Sequence, residues 1–290
     1  MTVAEQHRRV DSLPLNDGRV VPLPAVMGVL NVTPDSFSDG GRFLDPDRAA
    51  EHALAMEAAG AALIDIGGES SRPVGAQEVS SEVELARVLP VLERLRGRLN
   101  VPISIDTRKA RVARAALDHG ASIINDISAL SGDPAMRELA VERRCPVVLM
   151  HMKGGAADHM KFASYRDVAE EVFQYLEQRA AFAISAGIER SRIILDPGLG
   201  FAKTAEHNLA LLGSLERLCA IGYPVLVGAS RKAFVRRIAG AGEREVLFGT
   251  AAVNAVAIAA GAAIIRVHDP GPMLAVMKMA AAVAAARRPG

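Results

Sequence analysis

Cysteine is scarce in this sequence: Cys145 and Cys219 stand in unlike contexts with no partner spacing. That excludes a disulfide scaffold and suits reduced packing residues in a cytosolic protein. Excess charge of either sign is also missing. Against 34 Lys and Arg stand 33 Asp and Glu, a formal net charge of +1. A broad basic face for nucleic acid is therefore excluded, whereas a local anion site is not, because net and local charge are separate matters. No run reaches the roughly 18 uninterrupted apolar residues of a membrane span. Residues 249–265 come closest, but Asn254 and two glycines interrupt them. The first residues carry charge and no apolar core, so no secretion signal is expected and a cytoplasmic location is. Three further absences narrow the chemistry. There is no glycine-rich dinucleotide fingerprint after the first strand, no Gly-x-Ser-x-Gly elbow and no cluster with zinc spacing. What remains is a reaction needing little acid–base work, in which the protein positions two substrates and stabilises a leaving anion.

What is present is a repeat. Half the sequence is apolar, and its short β-branched runs are apolar on both faces, as buried parallel strands are. They fall at 25–30, 62–67, 102–106, 122–126, 146–151, 192–196, 224–229 and 263–268. Ala-, Glu- and Arg-rich segments with helical spacing lie between them. Residues 45–60 have Asp45 to cap, Pro46 for the first helical position and Gly60 to stop. Residues 107–120 have Thr107 as cap and Gly120 as stop, and 164–187 and 269–288 are longer. Eight strand–helix units in about 250 residues predict one (β/α)₈ TIM barrel. With no linker or composition break, residues 23–290 read as one barrel domain. Residues 1–22 read as an N-terminal arm with a possible hairpin turn at Asn16-Asp17-Gly18. The loops after strands 1 and 2 are long and rich in Gly, Ser and Pro, the composition of mobile lids.

In a barrel the polar residues at the strand ends converge on one mouth. They are Asn31, Asp65, Glu69, Asp106, Asn125, Asp126, His151, Asp196, Ser230, Arg231, Lys232, Arg266, His268 and Asp269. Asp106, Asn125 and Asp196 suit a flat heterocycle with N–H groups and a ring carbonyl, such as a pterin or guanine, and Lys232 suits the carbonyl. Ser71, Arg72, Arg266 and His268 suit a phosphate or diphosphate, with arginine supplying a fork of donors. Asn31 and Asp35 could give oxygens to a Mg²⁺ that keeps most of its waters. Each residue has a plainer reading. Asp106 could only cap a helix and Asp196 only make a turn, Lys232 and Arg231 could be surface charges, and His151 could be structural. Asn125 and Asp126 alternate, so one should face the mouth, and Asn125 is the choice. His52, His119, His159 and His207 are expected in solvent.

The motifs resemble those of the dihydropteroate synthases, folate-pathway enzymes inhibited by sulfonamides. They run in order: 28–41 (GVLNVTPDSFSDGG), 67–73 (GGESSRP), 104–107 (SIDT), 124–126 (IND), 196–203 (DPGLGFAK), 230–232 (SRK) and 266–268 (RVH). The resemblance implies a pterin-binding barrel in which p-aminobenzoate displaces diphosphate from a dihydropterin methyl diphosphate, with Mg²⁺. It implies a pterin site of Asp106, Asn125, Met150, Asp196 and Lys232, and a diphosphate site of Asn31, Ser71, Arg72, Arg266 and His268. A p-aminobenzoate pocket of Phe37, Pro73, Phe201 and Lys232 follows, with Asn31 toward the metal, and a homodimer. The reacting groups would be Asp106, Lys232, Arg266 and His268. Four positions depart from the family pattern: Ser71 for Thr, an inserted Val74, Gly155-Ala156 for Thr-Pro, and Ala233 for Ser. Two rivals follow. A methyltransferase acting on methyltetrahydrofolate should lack the Ser-Arg-Pro loop and the Arg-x-His ending. A pterin-binding homologue without turnover stays open because of Val74 and Ala233.

Overall fold

The computed structural model describes residues 10–33, 45–70, 78–155 and 158–286. It opens with a hairpin of β1 (Ser12–Pro14) and β2 (Val20–Pro22), antiparallel with Leu13 opposite Val21. Its turn falls at 16–18, where Gly18 adopts a φ of +84°. Eight parallel strands follow: β3 (Ala25–Asn31), β4 (Leu63–Gly67), β5 (Ile103–Asp106), β6 (Ala121–Asp126), β7 (Val147–Met150), β8 (Ile193–Asp196), β9 (Leu226–Val227) and β10 (Ile264–Val267). Their order is β8-β7-β6-β5-β4-β3-β10-β9. A bridge from Leu195 to Val225 joins the two ends, so the sheet closes into a barrel. The helices lie between strands: α1 (Pro46–Ala58), α2 (Ser81–Leu95), α3 (Ala110–Asp118), α4 (Pro134–Arg143), α5 (Val168–Ser185), α6 (Ala205–Gly213), α7 (Leu215–Cys219), α8 (Ala233–Ala239), α9 (Glu243–Ala259) and α10 (Pro270–Ala286). The (β/α)₈ expectation is met. No helix among the described residues is long and apolar enough to cross a membrane.

Side chains alternate along each strand, and the alternation sorts them. Leu30, Ile64, Ile66, Ile105, Ile124, Leu149 and Leu195 face outward and share one apolar cluster with the surrounding helices. Met27, Leu63, Ile123, Val148, Ile194 and Ile264 face inward and form another. The hairpin's Leu13, Leu15 and Val21 belong to that inner cluster and are buried. The hairpin therefore seals the N-terminal end of the cylinder, each of its large side chains contributing about 1.5–3 kcal/mol by burial. One further inward step, two residues on, is polar on four strands, Asp65 after Leu63, Asn125 after Ile123, Asp196 after Ile194 and Arg266 after Ile264, and apolar on two, Met150 after Val148 and Val29 after Met27. The floor is apolar and the layer above it is mostly polar, so the open C-terminal end is where chemistry is placed.

Local signals held where the partner was local. Asp45 caps α1, accepting from the Asp47 N–H at 2.9 Å, with Pro46 in the first turn. They failed where the partner came from elsewhere. Thr107 does not cap α3. Its hydroxyl accepts from the Lys109 N–H at 3.2 Å, and the Ala110 N–H is satisfied by Asp133, at 2.8 Å, from the start of α4. The strand expected at 224–229 is only Leu226–Val227. The helix expected at 164–187 begins at Val168, capped by Asp167.

Candidate active site

Four side chains lock together at the mouth. Arg266 on β10 donates from Nε to Asp65 Oδ2 at 2.6 Å and from its terminal nitrogen to Asp106 Oδ2 at 2.8 Å. Asn125 Nδ2 donates to the same Asp65 oxygen at 3.0 Å. Asp65 is fully buried, and its other oxygen has no partner among the described protein atoms. Strand spacing makes this possible: Gly67 lies opposite Asp106 in the ladder, and a Cβ there would stand 3.3 Å from the Asp106 Cβ.

Two carboxylates share one guanidinium, and the imbalance shows in the protonation of Asp106. Burial, and then the Asp65 charge, push the Asp106 carboxyl up to about 7, against the pull of Arg266. Burial alone would lower the Arg266 pKa, but the Asp65 and Asp106 charges outweigh it and the guanidinium is held above its ordinary value. Asp196, beside this group, is raised by burial, opposed by Lys232. Lys232 is pushed down to about 8 by burial, opposed by Asp196. The site is thus a low-dielectric enclosure of opposed charges. In it a donor or acceptor aimed at a ligand acts more strongly than it would in water.

A second wall is built by the turn after β8. Asp196 Oδ1 accepts from the Gly198 N–H at 2.7 Å. Gly198 has a φ of +66°, and a Cβ there would lie 2.1 Å from the His151 carbonyl oxygen, so only glycine lets the turn sit against β7. Lys232 Nζ donates to the Leu199 carbonyl and stands 4.4 Å from the centroid of the Phe201 ring. Phe201 packs with Met150, Ile127 and Met152. At the third wall, His268 meets Ser230 through both its backbone N–H, at 3.2 Å, and its Nδ1, at 3.0 Å from the hydroxyl. Asn31 ends β3, partly buried.

Asp106, Asn125, Met150, Asp196, Phe201, Lys232, Arg266 and His268 are therefore placed on the same rim. Two residues expected at the mouth, Arg231 and Asp269, are not in it, and Asp126 faces away from it as the choice of Asn125 implied. Asp126 accepts from the Ser128 N–H at 2.8 Å, the Ser128 hydroxyl at 2.6 Å and the Leu130 N–H at 2.8 Å, shaping the loop behind β6. Arg231 and Asp269 pair with each other at 2.6 Å on the outside. His159 is not in solvent: it is fully buried, and Nδ1 accepts from the Ala202 N–H at 2.7 Å. Asp35, Phe37, Ser71, Arg72, Pro73 and Val74 lie outside the described residues. Two buried groups in the assembly had no assigned role. Asp65 is the hub of the polar layer, and its signal was an acid inside the apolar run Leu-Ile-Asp-Ile. Lys203 lies beneath the second wall and is pushed down to about 7 by burial, opposed by Asp196.

A closed barrel with an apolar floor and a buried layer of acids and cations at the C-terminal mouth defines an enzyme that takes a polar small molecule into the cylinder. A family model described as pterin binding enzyme matches residues 27–268. The chain belongs to that pterin-binding family. It is 46% identical over 254 residues to the dihydropteroate synthase of Bacillus subtilis, covering 88% of this chain and 86% of that protein. Its fold is similar to that of Xanthomonas albilineans dihydropteroate synthase solved with 4-aminobenzoic acid. There the TM-score is 0.87 and the identity 42%, with 96% of this chain and 99% of the other covered. The same enzyme solved with 7,8-dihydropteroate gives a TM-score of 0.83 and 40% identity, with 96% and 100% covered.

Proposed function

We propose that this chain condenses p-aminobenzoate with (7,8-dihydropterin-6-yl)methyl diphosphate, giving 7,8-dihydropteroate and diphosphate in folate synthesis. The observation that carries the reading is the junction of Asp65, Arg266, Asp106 and Asn125 beside Asp196 and Lys232. Carboxylates and an amide there suit the N–H edge of a pterin, while the cation reaches toward an anion. Asp106, Asn125 and Asp196 accept from the ring, Lys232 donates to its carbonyl, and Met150 packs against it. Arg266 and His268 receive the diphosphate, together with Ser71 and Arg72.

The chemistry follows from where charge develops. As the C–O bond breaks, positive charge spreads from the methylene carbon into the electron-rich ring, and negative charge collects on the diphosphate. The Asp106 carboxylate stabilises the first and the Arg266 fork the second. The amine of p-aminobenzoate, held against Phe201 and Lys232 with Phe37 and Pro73, forms the new C–N bond and releases a proton. No residue need act as a covalent nucleophile.

Mg²⁺ suits this donor set. Among the described residues no three His, Cys, Asp or Glu gather into a cage. An ion bound mainly by diphosphate and water would take the amide oxygen of Asn31, at the end of β3, as its protein contact. When bound it would neutralise charge on the diphosphate.

The assay is diphosphate release from the pterin diphosphate. Release should require p-aminobenzoate, stop with EDTA and return with Mg²⁺. Binding of the pterin without any release would instead mark a homologue that has lost turnover. We also propose a homodimer through α9 and α10, whose Phe248, Val256 and Met279 are 59%, 52% and 69% exposed. Sedimentation should give twice the 30.6 kDa chain mass, and a single-chain mass at micromolar concentration would refute it.

A further inference from the structure

Below the second wall lies a buried polar network that the reaction does not use. Lys203 is 2% exposed, and its Nζ meets three groups: the Phe201 carbonyl at 2.9 Å, the His151 Nδ1 at 3.0 Å and the His151 carbonyl at 3.3 Å. His151 follows β7 directly and is itself buried, edge-on to the Tyr175 ring at 4.9 Å. His159, fully buried, takes the Ala202 N–H on Nδ1 at 2.7 Å, and its ring lies 5.4 Å from that of Phe201. On the far side Asn208 of α6, also buried, accepts from the Gly200 N–H at 2.7 Å and donates to the Thr204 carbonyl at 2.7 Å. Burying a lysine and two histidines under a turn is costly unless each is held by hydrogen bonds. Here Lys203 and His159 each take a backbone group of the turn, the Phe201 carbonyl and the Ala202 N–H, and Lys203 also meets the His151 ring, while His159 Nε2 has no partner among the described protein atoms. The carbonyl of Phe201 is tied from one side and the N–H of the next residue from the other, so the peptide between them has little freedom to rotate.

We infer that Lys203 and His159 are positioning residues for the p-aminobenzoate site. They fix the peptide that follows Phe201 from its two sides and so set the ring against which the second substrate lies. The inference rests on the function proposed above. It bears mainly on the second substrate: Asp106, Asn125 and Arg266 are joined through Asp65 on other strands and do not touch this network, while Asp196 and Met150, which border it, are fixed in β8 and β7.

Steady-state kinetics on the full-length enzyme test it, with Lys203→Met, His159→Leu and His159→Asn measured beside the parent. Asparagine keeps an acceptor close to the place of Nδ1, and leucine removes it. Losing a hydrogen bond made by a buried polar or charged group corresponds to about a tenfold effect or more. Lys203→Met and His159→Leu should raise the KM for p-aminobenzoate by about that factor. Both kcat and the KM for the pterin diphosphate should stay within about threefold, and His159→Asn should recover most of the loss. An unchanged KM for p-aminobenzoate in both variants would overturn the inference. So would a parallel rise in both KM values that tracks a fall in Tm, which is what mere loosening of the fold produces. The parent reports separately on the function itself: if it releases no diphosphate with p-aminobenzoate, the functional reading fails, not the positioning argument.

Discussion

Replacing Arg266 with Met should lower turnover by about three orders of magnitude and destabilise the fold at neutral pH. The turnover loss follows from its role as the fork that meets the departing diphosphate, since removing one preorganised donor at developing negative charge costs about 10²–10³-fold. The stability loss follows from its resting contacts. Arg266 bonds Asp65 at 2.6 Å and Asp106 at 2.8 Å, with its side chain 20% exposed and that of Asp65 fully buried. Taking away one partner of a buried pair leaves uncompensated charge, worth about 3–5 kcal/mol. The orphaned carboxylates can escape that cost by taking up protons, so the variant should be nearer the parent in Tm at pH 5 than at pH 8. Arg266→Lys should restore part of the stability and little of the turnover, because an ammonium keeps the charge but cannot reach both carboxylates as a planar fork. Thermal unfolding at the two pH values, run beside the kinetics, checks both halves. A turnover within tenfold of the parent would remove Arg266 from the mechanism.

Asp106→Asn is expected to cost about 10²–10³-fold in kcat/KM for the pterin diphosphate and to change the shape of the pH profile. In the parent the Asp106 carboxyl is lifted to about 7 by burial and by the Asp65 charge, against Arg266. The carboxylate is the form that stabilises a cationic ring, so the parent rate should rise with pH through about 7. Asparagine carries no such charge, and its profile should lose that limb. Stability moves the other way. Between the ordinary carboxylate value of 3.8 and about 7 the folded state holds a proton that the unfolded state has released. Stability from this group therefore falls as pH rises across that window. The variant removes the slope, so its Tm relative to the parent should improve from pH 4 to pH 8. A parent profile flat between pH 6 and 8 would show that Asp106 is ionised throughout.

What could be read from the sequence was what local spacing encodes. The eight β-branched runs gave the barrel, because strands buried on both faces need apolar residues throughout. The two-residue period then placed Asn125 inward and Asp126 outward, since neighbours on a strand point to opposite faces. Asp65 was visible as one of many strand-end acids. That it links Arg266 and Asn125 could not be seen, because those partners lie 201 and 60 residues away. The same reason hid His159, whose partner Ala202 is 43 residues on. It also hid the true first turn of α3, where Asp133 of a different element accepts from Ala110. Closure entropy and packing decide such pairs, and no local pattern records them. The hairpin turn at 16–18 was legible, but its use as the barrel's floor was not. A short alternation of apolar residues does not say which surface will cover it.

The most direct test is a crystal structure of this chain with a non-reactive dihydropterin methyl diphosphate and p-aminobenzoate. The ring's N–H edge should lie within hydrogen-bond distance of Asp106, Asn125 and Asp196, with Arg266 and His268 on the diphosphate and the aminobenzoate against Phe201. A pterin bound outside the cylinder, or a diphosphate that leaves Arg266 wholly engaged by Asp65 and Asp106, would contradict the account.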